Sequence, residues 1–182
     1  MSYQNPKAFL SPDFIIRAAT HPWELDGVRA LRHQAFVKEQ GLFDTDDRDA
    51  IDEIALPLAA ISTLAAEADQ VVGTVRIHEA EPGLWRGSRL AVAQSHRRVG
   101  ILGAELIRLA VCTAHARGCD RFLAQVQMQN VKLFQRLHWT PLREMEAHGV
   151  PHMEMQADLS FYPPMPDPYA GWKSLSRRRR LS

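Results

Sequence analysis

The sequence is poor in cysteine, in net charge and in long apolar segments, and each shortage argues against a class of protein. The two cysteines, Cys112 and Cys119, have no metal-ligand spacing around them, which disfavours a metal centre and favours free thiols. A formal net charge of +1 predicts no general attraction to nucleic acid or membranes. No apolar run reaches the ~18 residues of a membrane span, and the N-terminus lacks a signal-peptide pattern, so we expect a cytoplasmic protein.

The rest of the composition is that of an ordinary folded domain. Of 182 residues, 46% are hydrophobic and 24% are charged, which suits one compact domain. We place this domain at residues 13–162, after a loose arm at 1–12 and before a proline-rich, then basic tail at 163–182. The tail contains the run Arg177–Arg180, for which a solvated surface is the expected role. A monomer and a homodimer both remain open.

Hydrophobic periodicity and turn residues divide the chain into strands and helices. Strands are predicted at 14–18, 57–66, 71–79, 85–92, 121–127, 140–147 and 151–159, with turns at 68–70 and at His148-Gly149. Helices are predicted from Pro22 to about Gln40, over 102–116, and from an Asn130 cap through Leu137. This order predicts an α/β (α+β) fold in which a mixed, mostly antiparallel twisted sheet carries helices on both faces.

One segment combines a strand end, a basic loop and a helix start. Leu90-Ala91-Val92 is typical of a strand, Arg97, Arg98 and Gly100 lie in the loop, and an apolar-periodic helix follows from Leu102. The backbone N–H groups of a first helical turn have no intrahelical partners, and the helix dipole adds partial positive charge beside them. The segment therefore predicts a phosphate site, which the two arginines would strengthen.

Arg97-Arg98-Val99-Gly100 resembles the pyrophosphate loop of the GNAT acyltransferases, which bind acyl-coenzyme A, although Leu102 occupies the place of a second small residue and Gly103 follows it. RHQAFVKEQ at 32–40 and VVGTVR at 71–76 are similar to segments of the acyl-homoserine-lactone synthases. The greatest similarity is to the N-acetyltransferases encoded in bacterial nitrilase gene clusters. That group shares EQGLF (39–43), DDRDAID (46–52), QVVGTVRIHEAEPG (70–83), GSRLAV (87–92), AHARGC (114–119) and LHW (137–139). The resemblance covers about residues 14–165.

The resemblance implies a GNAT fold and an N-acyltransferase that uses acetyl-CoA, or another acyl-CoA, and a small-molecule amine as acceptor. Two alternatives stay open: an acyltransferase like the acyl-homoserine-lactone synthases, and a non-catalytic GNAT-fold sensor of CoA or a metabolite. The implied acyl-CoA-binding residues are Leu90, Ala91, Val92, Arg97, Arg98, Val99, Gly100, Ile101, Leu102, Gly103, Asn130 and Phe134.

An acyltransferase of this kind must deprotonate the acceptor amine, and three residues are candidate bases. They are Glu39, His78 and Glu79, of which the histidine titrates nearest the required pH. In many GNAT proteins a tyrosine on the last helix meets the leaving thiolate, but Phe134 stands at the matching position here. We expect Phe134 to act by packing, because a thiol with a pKa near ~8.5 leaves without an acid.

Two arginines mark a candidate acceptor pocket. Arg32 interrupts the apolar stripe of the first helix one turn before Phe36, and Arg76 lies on an internal strand, where an unpaired charge is costly. Each arginine either forms a structural ion pair, with Glu39 as one partner for Arg76, or contacts substrate. The first helix is followed by an acidic loop at residues 44–53. We expect the pocket to lie between this helix and loop on one side and the strand that carries Arg76 and His78 on the other, with Arg32, Phe36 and Arg76 binding the acceptor. Arginines favour a carboxylate on the acceptor and the loop acids favour its amine, so an amino-acid-like molecule is preferred.

Overall fold

The computed structural model describes residues 13–175, and these residues build one eight-stranded sheet. The strands are β1 (Asp13–Ala18), β2 (Leu56–Leu64), β3 (Glu67–Glu81), β4 (Leu84–Val92), β5 (Arg121–Gln127), β6 (Trp139–Ala147), β7 (Val150–Ala157) and β8 (Trp172–Leu175). Their order is β6-β7-β5-β4-β3-β2-β1-β8. The β4–β5 pair is parallel and the other neighbouring pairs are antiparallel, which confirms the predicted mixed sheet. The predicted arm at 1–12 and the Arg177–Arg180 run lie outside the described residues.

Helices cover both faces of this sheet. They are α1 (Pro22–Arg32), a π-helix that continues it (His33–Glu39), α2 (Leu102–Ala116) and α3 (Val131–Arg136). Successive side chains of a strand point to opposite faces, and on β2 Ala59 packs with Val28 of α1 while Ala60 packs with Leu106 of α2. The two helices therefore lie on opposite sides of the sheet, as predicted. None of the helices within residues 13–175 is both long and apolar enough to cross a bilayer.

The feature that creates space for a ligand is the divergence of β4 and β5. Their pairing stops at Gly87 and Ala124, so the remaining residues of β4 have no strand on that side. On its other side the β3–β4 register shifts between Thr74 and Arg76, and Arg89 of β4 adopts a φ of 55°. This bulge bends β4, and the two parallel strands open into a V.

The first predicted helix changes its hydrogen-bonding pattern halfway. α-Helical geometry ends at Arg32, and the backbone N–H of Gln40 donates to the carbonyl of Ala35, 3.1 Å away, in the i to i−5 pattern of a π-helix. Such turns are rare and occur often at functional sites. The change keeps Phe36 buried against the V while the chain turns into the acidic loop.

The turn between β2 and β3 differs from the prediction. It lies at Ala65-Ala66, with φ values of 50° and 69°, and residues 68–70 belong to β3. Positive φ at both central residues is the pattern of a tight hairpin turn. The prediction was wrong because two alanines carry none of the glycine, asparagine or aspartate signal that such turns usually show.

Two further predictions need correction, one near the end of the chain and one at the start of α3. Residues 172–175, predicted as tail, form β8 and pair with β1, which extends the folded part beyond residue 162. Gly171 permits this pairing, because it has a φ of 56° and a Cβ there would overlap the carbonyl oxygen of Ile16. Asn130 makes no side-chain cap and instead ends a 3-10 turn, Met128–Asn130, from which α3 begins.

Candidate active site

A cavity of about 740 Å³ occupies the V between β4 and β5. Its walls are the π-helix with the acidic loop, the start of α2, α3, and the tip of the β6–β7 hairpin. The predicted site residues that line it are Phe36, Arg76, His78, Leu90, Ala91, Val92, Arg97, Gly100, Leu102, Gly103, Asn130 and Phe134. Those that do not line it are Arg32, Glu39, Glu79, Arg98 and Ile101. Residues predicted separately for the acceptor pocket, Phe36 and Arg76, and for the phosphate loop, Arg97 and Gly100, therefore line the same cavity.

The start of α2 has the geometry of an anion cradle. Gly100 ends a 3-10 turn, Gln94–Val99, with a φ of 73°, and the first helical hydrogen bond runs from the N–H of Glu105 to the carbonyl of Ile101. The N–H groups between them are the free donors of a helix start. A Cβ added at Gly103 would meet no atom within 4 Å, so the approach to these donors is open. Leu102, the departure from the family pattern, does not obstruct them because its side chain is 1% exposed in the core.

Arg97, at the mouth of the cradle, is held by the end of the π-helix. Its guanidinium forms an ion pair with Glu39 and donates through Nε to the carbonyl oxygen of Val92, 3.0 Å away. Next to Glu39, the Gln40 side chain accepts a hydrogen bond of 2.7 Å from Gln127 on β5. The end of the π-helix therefore bridges the two edges of the V, and Glu39 pairs with Arg97 rather than with Arg76.

The two arginines of the predicted acceptor pocket belong to an ion network with the acidic loop. Arg32 donates to Asp47 at 2.7 Å and to Asp52 at 2.7 and 3.0 Å. Arg76 donates to both oxygens of Asp49, at 2.6 and 2.9 Å, and lies 2.8 Å from Asp52.

A third arginine, Arg89, closes the network. It reaches the Asp47 carboxylate at 3.0 Å and Asp49 at 3.2 Å, and its guanidinium stacks on the ring of Phe43 at 4.6 Å. Three arginines thus meet three aspartates, and the group has no net charge. Of the two alternatives for Arg32 and Arg76, the structural ion pair is the one that the structure contains.

The network shifts the ionisation of its members. Hydrogen bonds from Arg76 lower the pKa of Asp49. Burial opposes ionisation of Asp52, but hydrogen bonds from Arg32 and Arg76 outweigh it and hold the pKa of this carboxyl well below its usual range. Both aspartates are therefore ionised at neutral pH, and the loop is fastened to β3 and β4 as a rigid wall.

His78 is the candidate base whose position suits the chemistry. The residue is 8% exposed and lines the cavity, and its buried Nδ1 has no hydrogen-bond partner within the described part of the chain. Burial, and then the nearby Arg76 and Arg86, lower its pKa from the ordinary 6.5. The imidazole is therefore neutral at pH 7 and can accept a proton.

The other two candidate bases lie elsewhere. The Glu79 carboxylate accepts a hydrogen bond of 2.9 Å from the N–H of Gly83 in the exposed turn after β3. Strand β3 continues past Glu79 to Glu81, and Glu79 does not line the cavity. Glu39 lies at the mouth in its ion pair with Arg97.

Phe134 contributes a wall of the V. It is 5% exposed and packs edge-on against Trp139, with 5.0 Å between ring centroids. This is the packing role expected of an aromatic side chain without an ionisable group.

The sequence reasoning missed a polar stripe that crosses β4, β5 and β7. Its cavity-lining members are Arg86, Gln125, Gln127 and His152. Alternation on β5, where Gln125 and Gln127 interrupt an apolar strand, was the available signal. His148, at the hairpin tip, contacts Phe43 of the acidic loop with 4.6 Å between ring centroids, which closes the cavity on that side.

The profile of the acetyltransferase (GNAT) family matches residues 25–139, from α1 to the start of β6. The chain therefore belongs to the GNAT family, whose members generally use acyl-CoA. No curated protein sequence matches the chain.

Solved structures share the fold at low sequence identity. A proposed N-acetyltransferase from Lactobacillus plantarum is 18% identical, with a TM-score of 0.70 over 80% of this chain and 98% of its own. An acyl-CoA N-acyltransferase from Pseudomonas aeruginosa is 17% identical, with a TM-score of 0.64 over 80% and 99%. BjaI, a CoA-dependent acyl-homoserine lactone synthase solved with SAM and isopentyl-CoA, is 20% identical, with a TM-score of 0.64 over 87% and 94%. At these identities the likeness shows the fold alone.

Proposed function

We propose that the protein is an acyl-CoA-dependent N-acyltransferase that moves an acetyl or other acyl group to the amine of a small molecule. The observation that carries this proposal is one cavity, which joins an open anion cradle at the start of α2 to a neutral histidine on β3 whose Nδ1 has no hydrogen-bond partner among residues 13–175. Both substrates would bind together, and the amine would attack the thioester directly.

Acyl-CoA supplies an activated acyl group, and the residues around the V suit its parts. The free N–H groups after Gly100, with Arg97, would hold the pyrophosphate. The unpaired edge of β4 at Leu90–Val92 would donate and accept hydrogen bonds along the pantetheine, opposite Asn130 and Phe134. Arg98, Val99 and Ile101 stay predicted members of the same loop.

His78 would accept the amine proton as the new N–C bond forms and the C–S bond breaks. A backbone N–H of the β4 bulge would stabilise the negative charge that develops on the acyl oxygen. The leaving thiolate needs no tyrosine, because its pKa of ~8.5 makes it a fair leaving group. Phe134 would confine it.

One observation favours a donor longer than acetyl-CoA, as in the acyl-homoserine-lactone synthases. The inner end of the cavity is lined by apolar side chains from α2 and the sheet: Val75, Ile107, Ala110 and Phe122. An acyl chain of several carbons would bury its surface there.

The test is the release of CoA thiol from acetyl-, isovaleryl- and hexanoyl-CoA with a panel of small amines, followed by mass spectrometry of the product. We expect amine-dependent thiol release that is lost in His78→Gln while CoA affinity is retained. Binding of CoA without thiol release from any donor would instead identify a sensor. Equal turnover in His78→Gln would remove this residue from the mechanism.

A further inference from the structure

The charge around the cavity is balanced on one side and unbalanced on the other. The three arginines and three aspartates of the loop network neutralise one another. On the opposite side, a single carboxylate, Glu154 of β7, serves two arginines: Arg143 donates to it at 2.9 Å and Arg86 at 3.3 Å. This second group carries one excess positive charge.

Arg86 presents that excess charge to the cavity. It lines the cavity and its side chain is 32% exposed, and within residues 13–175 its hydrogen-bond acceptor is Glu154 alone. A charge-assisted N–H···O bond is usually ~2.7–2.9 Å long, so the contact of 3.3 Å is a loose one. Arg143 lies on the edge strand β6 with 68% of its side chain exposed, and it is outside the cavity lining.

Arg86 is also the cross-strand neighbour of His78. The two residues are directly paired in the β3–β4 register, and side chains of such pairs lie roughly 5 Å apart at Cβ. An amine at the His78 imidazole therefore places the substituents of its carbon next to the Arg86 guanidinium. The planar fork of that group fits a carboxylate through two hydrogen bonds.

We propose that Arg86 anchors the carboxylate of the acceptor, and that the acceptor is a small amino acid whose amine faces His78. This inference rests on the proposed function. The sequence predicted the carboxylate site at Arg32 and Arg76, whose charges the acidic loop neutralises. We place it instead at Arg86, whose partner Glu154 is shared with Arg143.

The experiment compares three acceptor classes, each with acetyl-, isovaleryl- and hexanoyl-CoA as donors: L-amino acids, their carboxamides, and the corresponding decarboxylated amines. Thiol release gives kcat/KM for each, in the wild type, Arg86→Met, Arg86→Lys and the matched control Arg143→Met. The control removes the other arginine bound to Glu154 without changing the cavity lining. Because Arg86 also affects the ionisation of His78, the readout is the ratio between the amino acid and its carboxamide, in which that effect cancels.

We expect the wild type to prefer amino acids and Arg86→Met to lower this ratio by about 10- to 100-fold, as for loss of a hydrogen-bonded charge. Arg86→Lys should lose part of the preference. Arg143→Met keeps the Arg86 guanidinium in the cavity but leaves Glu154 to it alone, so this variant should lower the ratio less than Arg86→Met does. Equal acylation of neutral amines and amino acids by the wild type would overturn the proposal, as would an unchanged ratio in Arg86→Met. Absence of thiol release with every class, with CoA still bound, is a separate result that would refute the proposed function itself.

Discussion

Arg32 provides the sharpest test of whether the arginines on the acidic-loop side are structural. We consider the change Arg32→Met, which keeps the length of the side chain and removes its charge. The Arg32 side chain is 7% exposed and that of Asp47 is 3% exposed. Without the guanidinium, Asp47 keeps only Arg89, and Asp52 keeps only Arg76, as charged partners.

Breaking a buried ion pair from one side costs roughly 3–5 kcal/mol, because it leaves a desolvated charge. Two facts place Arg32→Met at the lower end: a second arginine stays on each aspartate, and 24% of the Asp52 side chain is exposed. We therefore expect a loss of about 3 kcal/mol in the free energy of unfolding. At ~2–4 °C per kcal/mol for a chain of this size, the melting temperature should fall by roughly 6–12 °C.

The assay is urea unfolding followed by circular dichroism, with Arg29→Met as the control. Arg29 is on the same helix, but its ion pair with Asp26 is exposed, with side-chain exposures of 58% and 75%. Such pairs contribute about 0–1 kcal/mol, so the control should unfold almost as the wild type does. If Arg32→Met proves as stable as Arg29→Met and instead raises the acceptor KM, Arg32 is a substrate contact and the reasoning is refuted.

The pH dependence of stability gives a second readout of the network. The pKa values of Asp49 and Asp52 are lowered in the folded state from the ordinary 3.8, by hydrogen bonds from Arg76 and, for Asp52, from Arg32. A carboxyl whose folded pKa is depressed stabilises the protein above its unfolded pKa, and this contribution is lost as the pH falls below that value. The wild type should therefore lose stability below about pH 4, and Arg32→Met should lose less over the same range. Parallel curves would contradict the assigned network.

Three further predictions concern the cavity. Since burial lowers the pKa of His78 below 6.5, the acid limb of kcat/KM should have its midpoint below 6.5; a midpoint at 7 or above would contradict the assignment. Gly100→Ala and Gly118→Ala both force an alanine into a positive φ, of 73° and 87° respectively, and both should lose roughly 1–2 kcal/mol of stability. Only Gly100→Ala should also weaken acetyl-CoA binding, by about tenfold in calorimetry. Equal acetyl-CoA affinities of the two variants would show that the Gly100 loop does not bind the cofactor. Phe134→Leu should keep most of kcat, because the ring has no ionisable group, and a complete loss with intact CoA affinity would show that the ring itself is required.

The local sequence pattern was sufficient to predict much of the secondary structure of this protein. The sequence predicted the 102–116 helix and the 121–127 strand with the bounds that the structure has, because apolar periodicity and the turn at Gly118 act within a few residues. It also predicted the strand end, the glycine-containing loop and the helix start around Arg97 and Gly100, since these elements are contiguous. That this loop binds phosphate stays a prediction. Phe36 and His78, predicted as site residues from their places on an amphipathic helix and an alternating strand, both line the cavity.

The sequence could not choose the partners of the charges, because electrostatic pairing depends on distances between remote segments. The sequence suggested Glu39 as a partner of Arg76. In the structure Arg76 pairs with Asp49, and Glu39 pairs with Arg97. The strand β8 was missed for the same reason, since its pairing with β1 joins the two ends of the described chain.

The site itself is a product of tertiary structure. The V exists because one bulge, at Arg89, and one parallel pairing that ends at Gly87 separate two strands. Composition determined what kind of domain the chain forms, and local periodicity determined its elements. Only the tertiary structure decided which charges are neutralised. Arg86 lies beside His78 and shares Glu154 with Arg143 because β3, β4 and β7 come together, and an ion pair depends on geometry that no local segment contains.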